Sequence, residues 1–80
     1  MREKLHQIIN LALDLNEQCA TNTSFLLFPH AESFTVHVWE GEPVIGNYLI
    51  DEHAYYAGSL CDEAKVNDII RELEELRDNI

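Results

Sequence analysis

Cysteine, glycine, proline and basic residues are all scarce in this chain of 80 residues, and each shortage removes a class of explanation. Two cysteines, Cys19 and Cys61, cannot make a disulfide framework. The three glycines, Gly41, Gly46 and Gly58, fall at expected turns or strand irregularities, so no glycine-rich loop is present to cradle a phosphate. The two prolines, Pro29 and Pro43, fall at expected strand ends and turns. Lys and Arg number five against fifteen Asp and Glu, for a net charge of −10. Direct nucleic-acid binding rests on clustered cations that neutralise phosphates, and this balance disfavours it. Anionic membrane surfaces are disfavoured for the same reason. Long apolar runs are missing too. Leu5 to Leu15 is broken by His6, Gln7, Asn10 and Asp14, so it is neither a signal-peptide core nor a membrane span, and a cytoplasmic location is expected.

Chemistry-bearing spacings are equally sparse. Four histidines (His6, His30, His37, His53) accompany the two cysteines, yet no C-x-x-C, H-x-x-x-H or H-E-x-x-H occurs, and no metal or other cofactor is expected. Asp51, Glu52 and His53 are adjacent, but sequence neighbours point in different directions in a strand or a helix. Cys61 stands ahead of the last predicted helix, where a thiolate is favoured, but without a base and an orienting group it is half of a catalytic site. The pairs Asp51–Glu52 and Glu74–Glu75 read as solvated carboxylates on a loop and an outer helix face. No catalytic residue is assigned, and the chain is not expected to be an enzyme.

What is present is a spacing that occurs twice. Leu5, Ile8, Ile9, Ala12, Leu15 and Cys19 follow helical steps, and Val66, Ile69, Ile70, Leu73, Leu76 and Ile80 repeat those steps sixty-one residues later. At 3.6 residues per turn each set collapses onto one stripe of a helix. The first helix is predicted from about Arg2 to Cys19, ended by the polar cluster Thr21, Asn22, Thr23, Ser24. The last starts between Ser59 and Asp62, a spacing that suits a capping box, and Asp68–Arg71 and Glu74–Arg77 are expected ion pairs on its outer face.

Between the helices the chain is rich in aromatic and β-branched residues. Ser24 to Phe28 reads as a buried strand ending at Pro29. Phe34 to Trp39 alternates, with Phe34, Val36 and Val38 on one face and Thr35, His37 and Trp39 on the other. After the turn Glu40-Gly41-Glu42-Pro43, Val44 to Ile50 is the third predicted strand, and Gly46 and Asn47 suggest a bulge in it. Asp51 to Gly58 carries no clear regular signal. The expected architecture is a single α+β domain over residues 1–80: an N-terminal helix, a three-stranded antiparallel meander and a C-terminal helix, αβββα. A hydrophobic content of 46% supports a packed core.

That architecture poses a question about surfaces. If both helices cover one sheet face, the other exposes Trp39, one of Phe25 or Phe28, and part of the third strand. Exposed apolar patches of that kind mark interaction sites, and aromatic residues are enriched at their centres. If the helices take opposite faces, no such patch remains and Trp39 is a strand-end residue. Tyr55 and Tyr56, beside the acids Asp51 and Glu52, have a composition that suits partner contact, or equally a ring folded over the sheet edge. Charge is also uneven: residues 1–39 carry −2 and residues 40–80 carry −8. The candidate partner-binding residues are therefore His37, Trp39, Glu40, Glu42, Tyr55 and Tyr56.

The L-A-L-D-L-N-E stretch from Leu11 to Glu17, the F-T-V-H-V-W-E-G segment, Y-L-I-D-E and the closing E-L-E-E-L resemble those of small proteins encoded in phages and prophages of Gram-positive bacteria. The resemblance carries over no activity and no site residue. It implies a mobile-element accessory protein that acts by binding. The expected function is therefore a non-enzymatic protein–protein interaction domain, a homodimer or the binder of another protein, working through an apolar sheet face or its acidic surface. The alternative is an acidic mimic of nucleic acid that occupies the basic groove of a host nuclease or DNA-binding protein.

Overall fold

Helical periodicity at both ends and strand periodicity between them produce the expected αβββα order. A computed structural model describes residues 1–18, 21–40 and 48–79. Helix α1 spans Arg2–Gln18, and strand β1 spans Thr21–Phe28. A single 3-10 turn at Pro29–Ala31 leads into β2, Ser33–Glu40, which is followed by β3, Tyr48–Tyr55, and α2, Glu63–Asn79. The sheet order is β1-β2-β3, antiparallel throughout.

The helices share one face of the sheet. Phe34, Val36 and Val38 of β2 are buried in one cluster with Ile8, Leu11 and Leu15 of α1, Val66, Ile69, Ile70 and Leu73 of α2, and Ala54 of β3. Phe25 of β1 stacks on Phe34 with ring centroids 5.6 Å apart. From the same face of β1, Thr21 Oγ1 donates to the Leu15 carbonyl (2.8 Å) and Thr23 Oγ1 to the Ala12 carbonyl (2.9 Å). Leu15 lies in the last turn of α1, where carbonyls lack an intrahelical donor, so Thr21 supplies what the helix end needs.

The chain reverses direction four times, at α1–β1, β1–β2, β2–β3 and β3–α2, so α2 runs parallel to α1. Side-chain pairs mark the alignment. Lys4 reaches Glu63 and Asn67 at the start of α2, each at 2.7 Å, and Arg77 approaches Asp14 at 3.7 Å near the far end. Lys4, by donating to Glu63, holds that carboxyl below the usual range.

Several boundaries differ from the sequence reading. Thr21 to Thr23 belong to β1 rather than to a turn, because their hydroxyls bond to α1 instead of breaking the chain. The third strand extends to Tyr55, through residues that carried no clear signal: Asp51, Glu52 and His53 have weak strand propensity, and pairing with β2 overrides it. Residues 44–47, with the expected bulge at Gly46 and Asn47, lie outside the described residues, as do Cys19 and Glu42. A register shift does occur between Val38 and Trp39, which sets Ile50 opposite Val38 and Tyr48 opposite Trp39. The N-cap of α2 is Asp62, whose Oδ1 accepts from the Lys65 backbone N–H at 3.1 Å, so Ser59 is not the cap. Gly58, at φ +78°, turns the chain between β3 and α2 in a conformation that residues with a Cβ rarely adopt. Asp68–Arg71 pairs as expected at 3.2 Å, but Arg77 turns to Asp14 and Asp78 instead of Glu74.

Phe34 has neighbours from every layer, and its loss cannot be repaired by one element moving. Phe34→Ala is expected to cost about 3–5 kcal/mol, a large part of the roughly 5–15 kcal/mol of a typical domain. Leu26→Ala, at a half-exposed position on the other sheet face, is expected to cost about 1 kcal/mol or less. Urea denaturation of the two variants measures both.

Candidate interaction surface

Alternation along the strands puts every second residue on the face away from the helices. The cross-strand register arranges them in four rows: Asn22, Trp39 and Tyr48; Ser24, His37 and Asp51; Leu26, Thr35 and His53; Phe28, Ser33 and Tyr55. Neither helix packs on these rows. Half of the twelve residues are aromatic or histidine rings, and Asp51 is the one acid among them. Leu26 and Phe28 are 47% and 44% exposed, values that place large apolar surface in water.

The rings form two groups. His37 stacks on Tyr48 with centroids 4.7 Å apart and planes 23° from parallel. Trp39 lies 5.5 Å from His37 and 5.3 Å from Tyr48. At the other end His53 stands edge-on to Tyr55 at 5.3 Å and lies 6.5 Å from Phe28. Such pairs favour offset or edge-on geometry and stabilise one another beyond simple burial. Polar bonds hold the two imidazoles in place. His37 Nε2 is 3.0 Å from Asp51 Oδ1, and Thr35 Oγ1 is 2.8 Å from His53 Nδ1. A hydroxyl–imidazole–carboxylate relay requires one imidazole to bridge both partners. Here hydroxyl and carboxylate are divided between two histidines, so the bonds orient rings and do not assemble a nucleophile.

The residues singled out in the sequence therefore separate. His37, Trp39 and Tyr55 lie on this face, and Glu40 is exposed at the end of β2. Tyr56, just past β3, packs against the core on the helix side, away from Tyr55. Phe28 is on the outer face and Phe25 beneath the helices, which resolves that alternative. Tyr48, Asp51 and His53 were missed. Asp51, His53 and Tyr55 alternate with Glu52 and Ala54, but the weak strand propensity of Asp51, Glu52 and His53 hides the strand beyond Ile50.

A second surface lies between β3 and α2. Asp51, Glu52, Glu72 and Glu75 line an open groove of about 530 Å³ with Leu49, Ile50, Leu76 and Asn79. Lys65 pairs with Glu52, and Arg71 approaches Glu75 at 3.9 Å. Partial burial, followed by the Glu52 charge, pushes the Glu72 carboxyl above its usual range, while contact with Glu52 raises Lys65. Among the described residues no group of three or more His, Cys, Asp or Glu is placed to hold a metal ion, and no helix is long and apolar enough to cross a membrane. Cys61 is exposed and free.

No family model, curated protein or solved structure matches this chain.

The raised Glu72 carboxyl has a defined sign. The folded state binds its proton more tightly than the unfolded chain does, so ionisation of Glu72 lowers stability as pH rises through the folded value. Glu72→Gln is expected to be more stable than the parent at pH 7, and the advantage should vanish below the ordinary glutamate value of 4.5. Urea denaturation at pH 7 and pH 4 checks both parts. A parent as stable as the variant at pH 7 contradicts the assignment.

Proposed function

We propose that this protein is a non-enzymatic protein–protein interaction domain that pairs with a second copy of itself through the outer face of its sheet. The reading fits the binding role of a phage or prophage accessory protein that the sequence resemblance implies. One observation carries it: the four rows of that face concentrate rings and apolar side chains and contain a single acid, in a chain with fifteen. A protein of net charge −10 repels its own copies. Repulsion is least where acids are fewest, and that surface is also where water gains most by being expelled. Trp39, with His37 and Tyr48 beside it, forms the anchor.

The magnitude follows from the dimensions. Three strands about 4.8 Å apart and eight residues long present a face of roughly 25 by 15 Å. That area is about half of the ~800 Å² that each partner buries in a standard interface. The dimer is therefore weak and depends on concentration. The nucleic-acid mimic has less support, because Lys65, Arg71 and Arg77 interrupt the acidic surface and pair with its carboxylates.

Light scattering at low and high salt over a range of concentrations tests the proposal. A dimer that persists at high salt is expected. Trp39→Ala should weaken it about tenfold or more, whereas Glu72→Lys combined with Glu75→Lys should leave it intact. A monomer at every concentration up to about 1 mM, a range in which even weak association registers, overturns the proposal. Loss of association in the double charge reversal alone transfers the contact to the acidic groove.

A further inference from the structure

A separate groove lies on the helix side of the sheet, at the edge formed by β1. Arg2, Leu5, His6 and Ile9 follow one another along α1 at steps of three, four and seven from Arg2, so they share one stripe of that helix. With Phe25 and Leu27 of β1 and with Tyr56 they enclose a cavity of about 260 Å³. The packing leaves it underfilled: Ile9 is 36% exposed and Leu27 47%. Its size is slightly below the range of about 300–1,000 Å³ that holds drug-sized ligands. A molecule with a short apolar body suits it.

The cation beside this cavity is unusual for the chain. Lys4 pairs with Glu63, Lys65 with Glu52, Arg71 with Asp68, and Arg77 with Asp14 and Asp78. Arg2 is the one Lys or Arg without an ion-pair partner among the described residues, although acids outnumber bases three to one. A guanidinium is a planar fork of N–H donors that matches a carboxylate at two points. An apolar cavity lined also by such a fork has the chemistry of a site for an amphiphilic anion.

We propose that the groove between α1 and β1 binds a small aliphatic carboxylate, with Arg2 taking the carboxylate and Leu5, Ile9, Phe25 and Leu27 surrounding the chain. His6 adds a second polar contact beside Arg2. The site is independent of the proposed dimer, because it lies on the opposite side of the sheet from the outer rows and stays open when a second copy covers them.

Titration of the isotope-labelled full chain with hexanoate and octanoate, followed through backbone amide NMR shifts, tests this site. Octanoate should shift amides in Arg2–Ile9 and Phe25–Leu27, and each methylene added from hexanoate should tighten binding about fourfold. Octanol and octylamine, with the same apolar body, separate the role of charge, and both should bind more weakly than octanoate. Arg2 is exposed, so Arg2→Gln should leave the fold intact. It should weaken octanoate about two- to fivefold while leaving octanol unchanged. Octylamine binding as tightly as octanoate, an Arg2→Gln variant with unchanged octanoate affinity, or shifts confined to the outer sheet face would each overturn the assignment.

Discussion

Burial of one row of side chains on the central strand organises the molecule. β2 is bonded along both edges, so its orientation sets that of the whole sheet, and Phe34, Val36 and Val38 mark the side that must be covered. Both apolar helix stripes converge on that side. Because side chains alternate with a period of two, the choice also settles the opposite face: Thr35, His37 and Trp39 have no alternative to facing away from the helices. A register slip of one residue in β2 would exchange the two sets and put imidazole and hydroxyl groups into the core. The uncovered ring-rich face is thus the geometric complement of a well-packed core.

The parallel arrangement of the helices follows from the same sheet. An odd number of antiparallel strands returns the second helix in the direction of the first, and the matched stripes, sixty-one residues apart, then lie side by side. Lys4 with Glu63 and Arg77 with Asp14 sit at corresponding ends of this alignment. Exposed ion pairs of this type contribute little to stability, and here they chiefly record register. The groove beside Glu72 takes its field from Asp51, Glu52, Glu72 and Glu75, which outnumber Lys65 and Arg71, the cations that pair with two of them.

Charge and apolarity are thereby sorted onto different surfaces. The acids crowd the helix side and its edges, while the outer sheet rows retain Asp51, which His37 engages. Separation of this kind lets a strongly acidic chain remain dispersed and still present one surface where close approach costs little electrostatic energy. The cavity beside Arg2 is a third environment, largely apolar within and edged by a cation that has no ion-pair partner among the described residues.

Helix stripes and the alternation of Phe34 to Trp39 were legible in the sequence because both signals are local: they depend on steps of 3.6 and 2 residues within one segment. The extent of β3 was not legible, since Asp51, Glu52 and His53 are poor strand formers that extend only because β2 offers them partners. Three of the twelve outer residues, Asp51, His53 and Tyr55, lie in that extension, and Tyr48, Asp51 and His53 joined His37, Trp39 and Tyr55 only once the register was known. The helix caps show the same division, with Asp62 rather than Ser59 at the start of α2. By itself the sequence determined the element order, the αβββα class, the acidic balance and the buried row of β2, because these follow from composition and from periodicity along the chain. It did not determine burial in β1, where Leu26, Leu27 and Phe28 of the expected buried strand are exposed. The tertiary structure alone decided that both helices share one face, that Phe28 and not Phe25 lies outside, and that Tyr55 and Tyr56 part company. Those outcomes depend on which strands pair and in what register, and that information resides in contacts between residues far apart in the chain.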